Sequence, residues 1–307
     1  MSFLSRRSFL TGFSGSAALG IAGCLGTTND SVSILSAGSL AVILEDHVGQ
    51  EFETKTGTTF QGEYYGANAV MRMIEDRQKH PDVAISADNV LLRDRLYDAH
   101  TDWDVEFASN SVGLAYSRDT WVCERLKSGD PWYEIALDAD EGELAISDPD
   151  LDPLGYRAMH AFQLAEKEHG LDGFTQSVAE KAYQEPEEPQ LLAGVDTGNR
   201  AAAVSYRNMA VDHELPFHEF PDEYNFSNPE YADHYASVSF TTDGGYTADG
   251  TPVVYNATVL EDADDPEAGR RFVRFLANSQ ELLEENGLTT SGFPNMHGNV
   301  PNEVTVE

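Results

Sequence analysis

A chain of 307 residues with 53 Asp and Glu against 19 Lys and Arg carries a formal net charge of −34, spread along its length rather than gathered in one tail. Nucleic-acid phosphates repel such a chain, so nucleic acid is excluded as a partner. An even acidic excess destabilises a compact fold unless salt screens it, so the composition reads as adaptation to brine.

The first 24 residues form an address. Ser5-Arg6-Arg7-Ser8-Phe9-Leu10, an apolar run over 17–21 and Ile21-Ala22-Gly23-Cys24 follow one another. The apolar run is too short and too glycine-rich to span a membrane, which leaves a twin-arginine secretion signal. The small residues before Cys24 make a lipobox. The expected mature chain therefore starts at a lipid-carrying Cys24, is exported already folded, and works outside the cell on a short tether, residues 25–30. The other cysteine, Cys123, is then left without a partner, and stability must come from core burial.

From residue 31 the pattern alternates. Residues 32–35 read as a buried strand and 36–39 as a tight turn. Residues 40–55 read as an amphipathic helix with Leu40, Ile43, Leu44, Val48 and Phe52 on one side. A strand over 59–64, the turn Gly66-Ala67-Asn68, a helix over 69–76 and a strand over 83–86 follow. Further strands are expected at 111–116, 144–147 and 253–260, a helix at 154–168, and a helical region at 266–286. Alternation of this kind builds parallel sheets covered by helices. It predicts two α/β lobes, one from residues 31–115 plus 255–307 and the other from 116–254.

Candidate chemistry lies at the strand-to-helix turns. Gly38-Ser39 offers a hydroxyl and free backbone N–H groups at a helix start, a seat for an oxyanion, although a serine cap is the plainer reading. Ala67-Asn68 repeats the arrangement one unit later, and Gly66 permits close backbone approach. In Asp152-Pro153-Leu154-Gly155-Tyr156-Arg157, proline suits the first helical position and Asp152 is the N-cap, its carboxylate either capping or facing a cleft. Catalytic signatures are missing: the nine histidines show no HExxH spacing, and neither a serine-nucleophile elbow nor a Walker loop follows the signal.

Five segments occur in the order found in one family: residues 36–40, 81–88, 147–157, 206–210 and 228–232. The chain resembles the archaeal molybdate/tungstate-binding proteins of ABC importers, and residues 270–276 are similar to the closing helix of extracellular solute-binding proteins generally. The resemblance implies a periplasmic-binding-protein-like fold of class II, with a ligand cleft between two lobes. It implies an oxyanion held by Gly38, Ser39, Ala67, Asn68, Asp150, Leu151, Asp152, Glu188 and Tyr206. Asp152 and Glu188 complete six-fold coordination of Mo or W.

Mo(VI) and W(VI) are hard centres that accept extra oxygen ligands, whereas sulfur in sulfate and phosphorus in phosphate do not readily do so. The two carboxylates thus attract one solute and repel its rivals. This sequence differs from the family at Ala67, where serine is usual, and in a shorter stretch over 169–189. The register there leaves Glu187 and Glu185 as substitutes for Glu188. The implied partners are the oxyanion, an ABC permease and ATPase, and the membrane through Cys24; no cofactor, no enzyme activity and a monomer are expected. The alternatives are a binding protein for sulfate or phosphate, or a secreted hydrolase.

Overall fold

The computed structural model describes residues 30–305; the signal, the Cys24 lipidation site and most of the tether lie outside them. Thirteen strands follow in chain order: β1 (Ser31–Ala37), β2 (Thr59–Tyr65), β3 (Val83–Ser86), β4 (Trp103–Ser109), β5 (Val112–Tyr116), β6 (Leu144–Ser147), β7 (Tyr183–Glu185), β8 (Ala202–Tyr206), β9 (Phe217–Glu219), β10 (Ser239–Thr241), β11 (Thr247–Asp249), β12 (Val254–Val259) and β13 (Asn295–Gly298). They form two large sheets, ordered β13-β4-β12-β3-β1-β2 and β7-β6-β8-β5-β9, and the small hairpin β10-β11. Each large sheet with its helices is one lobe.

The expected parallel core is present, but each sheet is mixed. β1 pairs in parallel with β2 and β3, and β6 with β7 and β8. β12 returns from the second lobe to lie antiparallel between β3 and β4, and β13 adds to β4 the same way. Central strands buried on both faces, such as β3 and β8, read as continuous apolar runs.

The crossing between lobes also differs from the expectation. β5, assigned from sequence to the first lobe, pairs with β8 and β9 in the second sheet. The chain therefore leaves the first lobe at Asn110-Ser111 and comes back just before Val254. The last strand of the first lobe before the crossing is β4, which is not among the strands expected from sequence. Asp104 and Glu106 alternate with Trp103, Val105 and Phe107, and both acids are buried because Arg93, on the helix Asn89–Leu96, pairs with them at 2.8 and 2.7 Å. The alternation is the period-two signal of a strand with one face in water, but here the face that carries the acids is buried as well.

Two helical expectations are refined. Residues 40–55 are a 3-10 turn (Gly38–Leu40), a wide π-helical stretch (Ile43–Val48) and an α-helix (Gly49–Thr56) rather than one helix, yet the five apolar residues all face the core. The terminal region is two helices, Pro266–Ala277 and Gln280–Glu285. Phe52, Phe60 and Phe272 pack edge to face and tilted in the first core, while Trp132 stacks on Phe220 at 4.2 Å in the second. Cys123 is buried and free. Among the described residues no helix is long and apolar enough to cross a membrane.

Candidate functional site

Four chain segments meet at the seam between the lobes, at the carboxyl ends of their parallel strands. β1 delivers Gly38 and Ser39, and β2 delivers Gly66, Ala67 and Asn68. β6 delivers the loop 148–152, and the segment after β7 delivers Glu188. The fit is tight. A Cβ on Gly38 would lie 2.9 Å from the Glu188 carboxylate and 2.8 Å from Pro189. A Cβ on Gly66 would lie 2.7 Å from Asp152 Cβ and 2.4 Å from the Leu151 carbonyl. Both glycines belong to the first lobe and both neighbours to the second, so glycine here is what lets the lobes close.

Glu188 begins a one-turn 3-10 segment fixed by Pro189 and is fully buried, whereas Glu187 is exposed and Glu185 half-buried. Neither Glu188 oxygen makes a hydrogen bond of ordinary geometry. Burial raises this carboxyl well above the usual range, and the nearby Asp152 adds like-charge repulsion. The N–H groups of Ser39 and Gly38 and the Ser39 hydroxyl pull weakly the other way. Asp152 is also fully buried. It caps the helix Pro153–His169 by accepting from the Gly155 N–H at 2.9 Å and accepts from the Ser147 hydroxyl. Burial nonetheless pushes it up to about 7. The capping reading of Asp152 is met by one oxygen of the carboxylate, and the other takes the Ser147 hydroxyl.

The remaining polar groups are donors with spare capacity. Ser39 lies inside the 3-10 turn and is no cap; its Oγ accepts from the Tyr255 hydroxyl at 3.4 Å, and its own proton has only the poorly aligned Glu188 carboxylate near it. Asn68 is buried with both side-chain polar atoms unpaired among the described residues. Tyr206, at the end of β8, accepts from Arg157 Nη1 at 2.7 Å and donates to no described group. Burial raises its phenol well above its ordinary value, so the proton stays.

Asp150 and Leu151 sit apart from this set. The Asp150 carboxylate accepts from the Asp243 N–H at 2.7 Å at the rim, and the Leu151 carbonyl accepts from Ala69 at 3.1 Å across the seam.

Several residues given no role from sequence support the site. Arg157 is buried and also binds the Ala87 carbonyl at 3.0 Å and Asp88 at 3.2 Å, both in the first lobe. Asp88 caps the helix Asn89–Leu96 through its other oxygen and accepts from the Tyr156 hydroxyl at 2.6 Å. Asn110, at the crossing, donates to Asn208 at 2.7 Å and to Tyr255 at 3.1 Å, and Asn208 donates to the Ser39 carbonyl at 2.6 Å. Arg157, Asp88 and Asn208 lay inside the segments that carried the resemblance. Asn110 had no sequence signal.

Two acids and several unsatisfied donors, sealed from water, make a site for a small polar solute rather than for an apolar one. Over 98% of this chain and 97% of the relative, 47% of residues are identical to an uncharacterized solute-binding protein of Halobacterium salinarum. The molybdate/tungstate-binding protein WtpA of Pyrococcus abyssi is 30% identical over 92% of this chain and 93% of its own. The fold is that of the Azotobacter vinelandii periplasmic molybdate-binding protein, with a TM-score of 0.60 at 13% identity over 85% of this chain and 98% of the other. The model of the bacterial extracellular solute-binding proteins matches residues 32–289, and the chain belongs to that family.

Proposed function

We propose that this protein captures molybdate or tungstate outside the cell and delivers it to an ABC permease driven by its ATPase. The observation that carries the reading is the Glu188 carboxylate, buried, without a hydrogen bond of ordinary geometry among the described residues, and opposed by Asp152. Two sealed acids would repel any simple dianion. They suit an oxyanion whose hard central metal takes both as fifth and sixth oxygen ligands. Gly38, Ser39, Ala67, Asn68 and Tyr206 then donate to the oxo groups through hydroxyls, the Asn68 amide and backbone N–H groups. Asp150 and Leu151 hold the loop and the seam. The oxyanion is cargo, released to the permease when the lobes part. The named ligand of the Pyrococcus abyssi relative supports the same solute.

The location follows the sequence signals. The twin arginines and Cys24 support export of the folded chain and a lipid anchor that keeps the trap near its permease; Cys24→Ser should release the protein into the medium. The charge of −34 supports a salty exterior. Calorimetry at high salt with molybdate, tungstate, sulfate and phosphate tests the ligand. Tight binding of the first two only is expected, and sulfate binding as tight as tungstate would overturn the six-coordinate reading.

A further inference from the structure

A second polar cavity, of about 220 Å³, opens beside the sealed site. The first lobe lines it with Asn68, Arg72 and Arg95, and the second lobe with Thr242, Gly244, Gly245 and Tyr246 from the turn joining β10 to β11. Asn68 and Arg72 stand four residues apart on the helix Ala67–Glu75, so they share a face. The two arginines differ. Arg95 is held by the carboxylate of Glu75, whereas the Arg72 guanidinium makes no hydrogen bond and no ion pair among the described residues. In a chain with 53 acids against 19 bases, an arginine without a carboxylate partner, half-buried at a cavity wall, is a cation kept for something else.

Its position supports one use. A Cβ on Gly244 would lie 4.0 Å from Arg72 Nη1, so the guanidinium reaches the opposite lobe at a point where no side chain blocks it. The same turn is tied through the Asp243 N–H to Asp150, two residues before Asp152. On the inner side the cavity ends on Asn68, whose amide is buried with neither polar atom satisfied. Gly66, two residues earlier, packs on Asp152. An unpaired cation, an unsatisfied amide and the inner acids therefore lie in sequence from the rim inward. Of the acids around the cavity, Glu75 is paired with Arg95, Asp88 with Arg157, and Asp243 is exposed at the turn, while Asp76 and Asp94 lie near Arg95 and Tyr246 and form no ion pair with Arg72 among the described residues.

We propose that this cavity is a vestibule in which Arg72 holds a tetrahedral oxyanion dianion before Asn68 hands it to the inner site. The inference rests on the oxyanion reading above and extends it to a second place on the path. Arg72 offers an unpaired positive charge, whereas the inner site's Arg157 is already paired with Asp88. Its planar fork binds tetrahedral oxyanions in two-point contact, while the inner acids reject any dianion that cannot expand its coordination.

Rapid-mixing fluorescence of the full chain with tungstate tests it, comparing wild type with Arg72→Gln and Arg72→Lys. Arg72→Gln should slow association about tenfold with a much smaller change in dissociation, and Arg72→Lys should recover part of the rate. The slowing should persist between about 0.1 M and about 1 M salt, because a contact survives when the Debye length falls to about 3 Å. Equal association rates for wild type and Arg72→Gln would overturn the vestibule alone. So would slowing that vanishes at high salt, which marks distant steering, or an effect confined to dissociation, which marks a contact with the finally bound anion. A wild-type protein that binds none of molybdate, tungstate, sulfate and phosphate would overturn this inference together with the function it rests on.

Discussion

Arg157 of the second lobe and Asp88 of the first form an ion pair at 3.2 Å that is closed off from water, so each lobe carries one half of a buried charge pair. The pair does three things at once. It ties the helix Pro153–His169 to the start of the helix Asn89–Leu96, it neutralises a cation beside two acids, and it orients Tyr206 through a 2.7 Å hydrogen bond.

Removing one partner leaves the other buried and uncompensated. Asp88→Asn should lower the unfolding free energy of the closed, tungstate-saturated protein by about 3–5 kcal/mol, read by denaturant titration. The double variant Asp88→Asn with Arg157→Met should be more stable than the sum of the single losses. Strict additivity would show that the two groups do not interact.

Of the three clustered acids, only Glu188 is buried. Glu188→Gln should therefore weaken tungstate binding by at least about 2 kcal/mol, roughly thirtyfold, and Asp152→Asn by a similar amount. Glu187→Gln should bind as wild type does. Calorimetry on the three variants decides, and normal binding by Glu188→Gln would remove Glu188 from the ligand set.

Gly38 faces the second lobe without a side chain. In Gly38→Ala the new methyl would meet Pro189 at 2.8 Å and the Glu188 carboxylate at 2.9 Å. Closing the lobes then costs about 1–3 kcal/mol of overpacking, while the open form is untouched. The expected result is weaker tungstate affinity with little change in the stability of the ligand-free chain; unchanged affinity would show that the lobes do not meet here in the bound state.

His160, on the helix Pro153–His169, is buried, and burial together with the neighbouring Arg157 charge depresses its pKa to about 4. Below the ordinary histidine value near 6.5 the unfolded chain binds a proton that the folded chain refuses, so stability falls as pH drops from about 6.5 toward 4. The loss reaches about 3 kcal/mol at the low end. His160→Gln should lack this component, and unfolding titrations of both proteins at several pH values between these limits measure the difference. Parallel pH profiles would contradict the buried neutral state.

Much of the architecture was legible locally. Short apolar runs such as 83–86 and 144–147 read as buried strands, and both strands have those bounds. Asp152-Pro153 marked a helix start, which the structure has at Pro153. The order of short segments also carried the family. What was missed was β4, whose alternating acids read as a solvent face until Arg93 is placed beside them, and the strand over 112–116 was given to the wrong lobe.

For the site, sequence alone determined which turns carry small residues, hydroxyls and acids, because backbone propensity and capping act within a few residues. Only the tertiary structure decided what those groups do. Glu188 in a glutamate-rich turn reads as a solvated acid until the first lobe's Gly38 closes over it. Arg157 reads as one residue of a helix until Asp88 meets it from the other lobe. Burial and pairing depend on segments far apart in the chain, and they set whether a carboxylate costs or binds. In this protein that choice is made at the seam, where neither lobe alone supplies both sides.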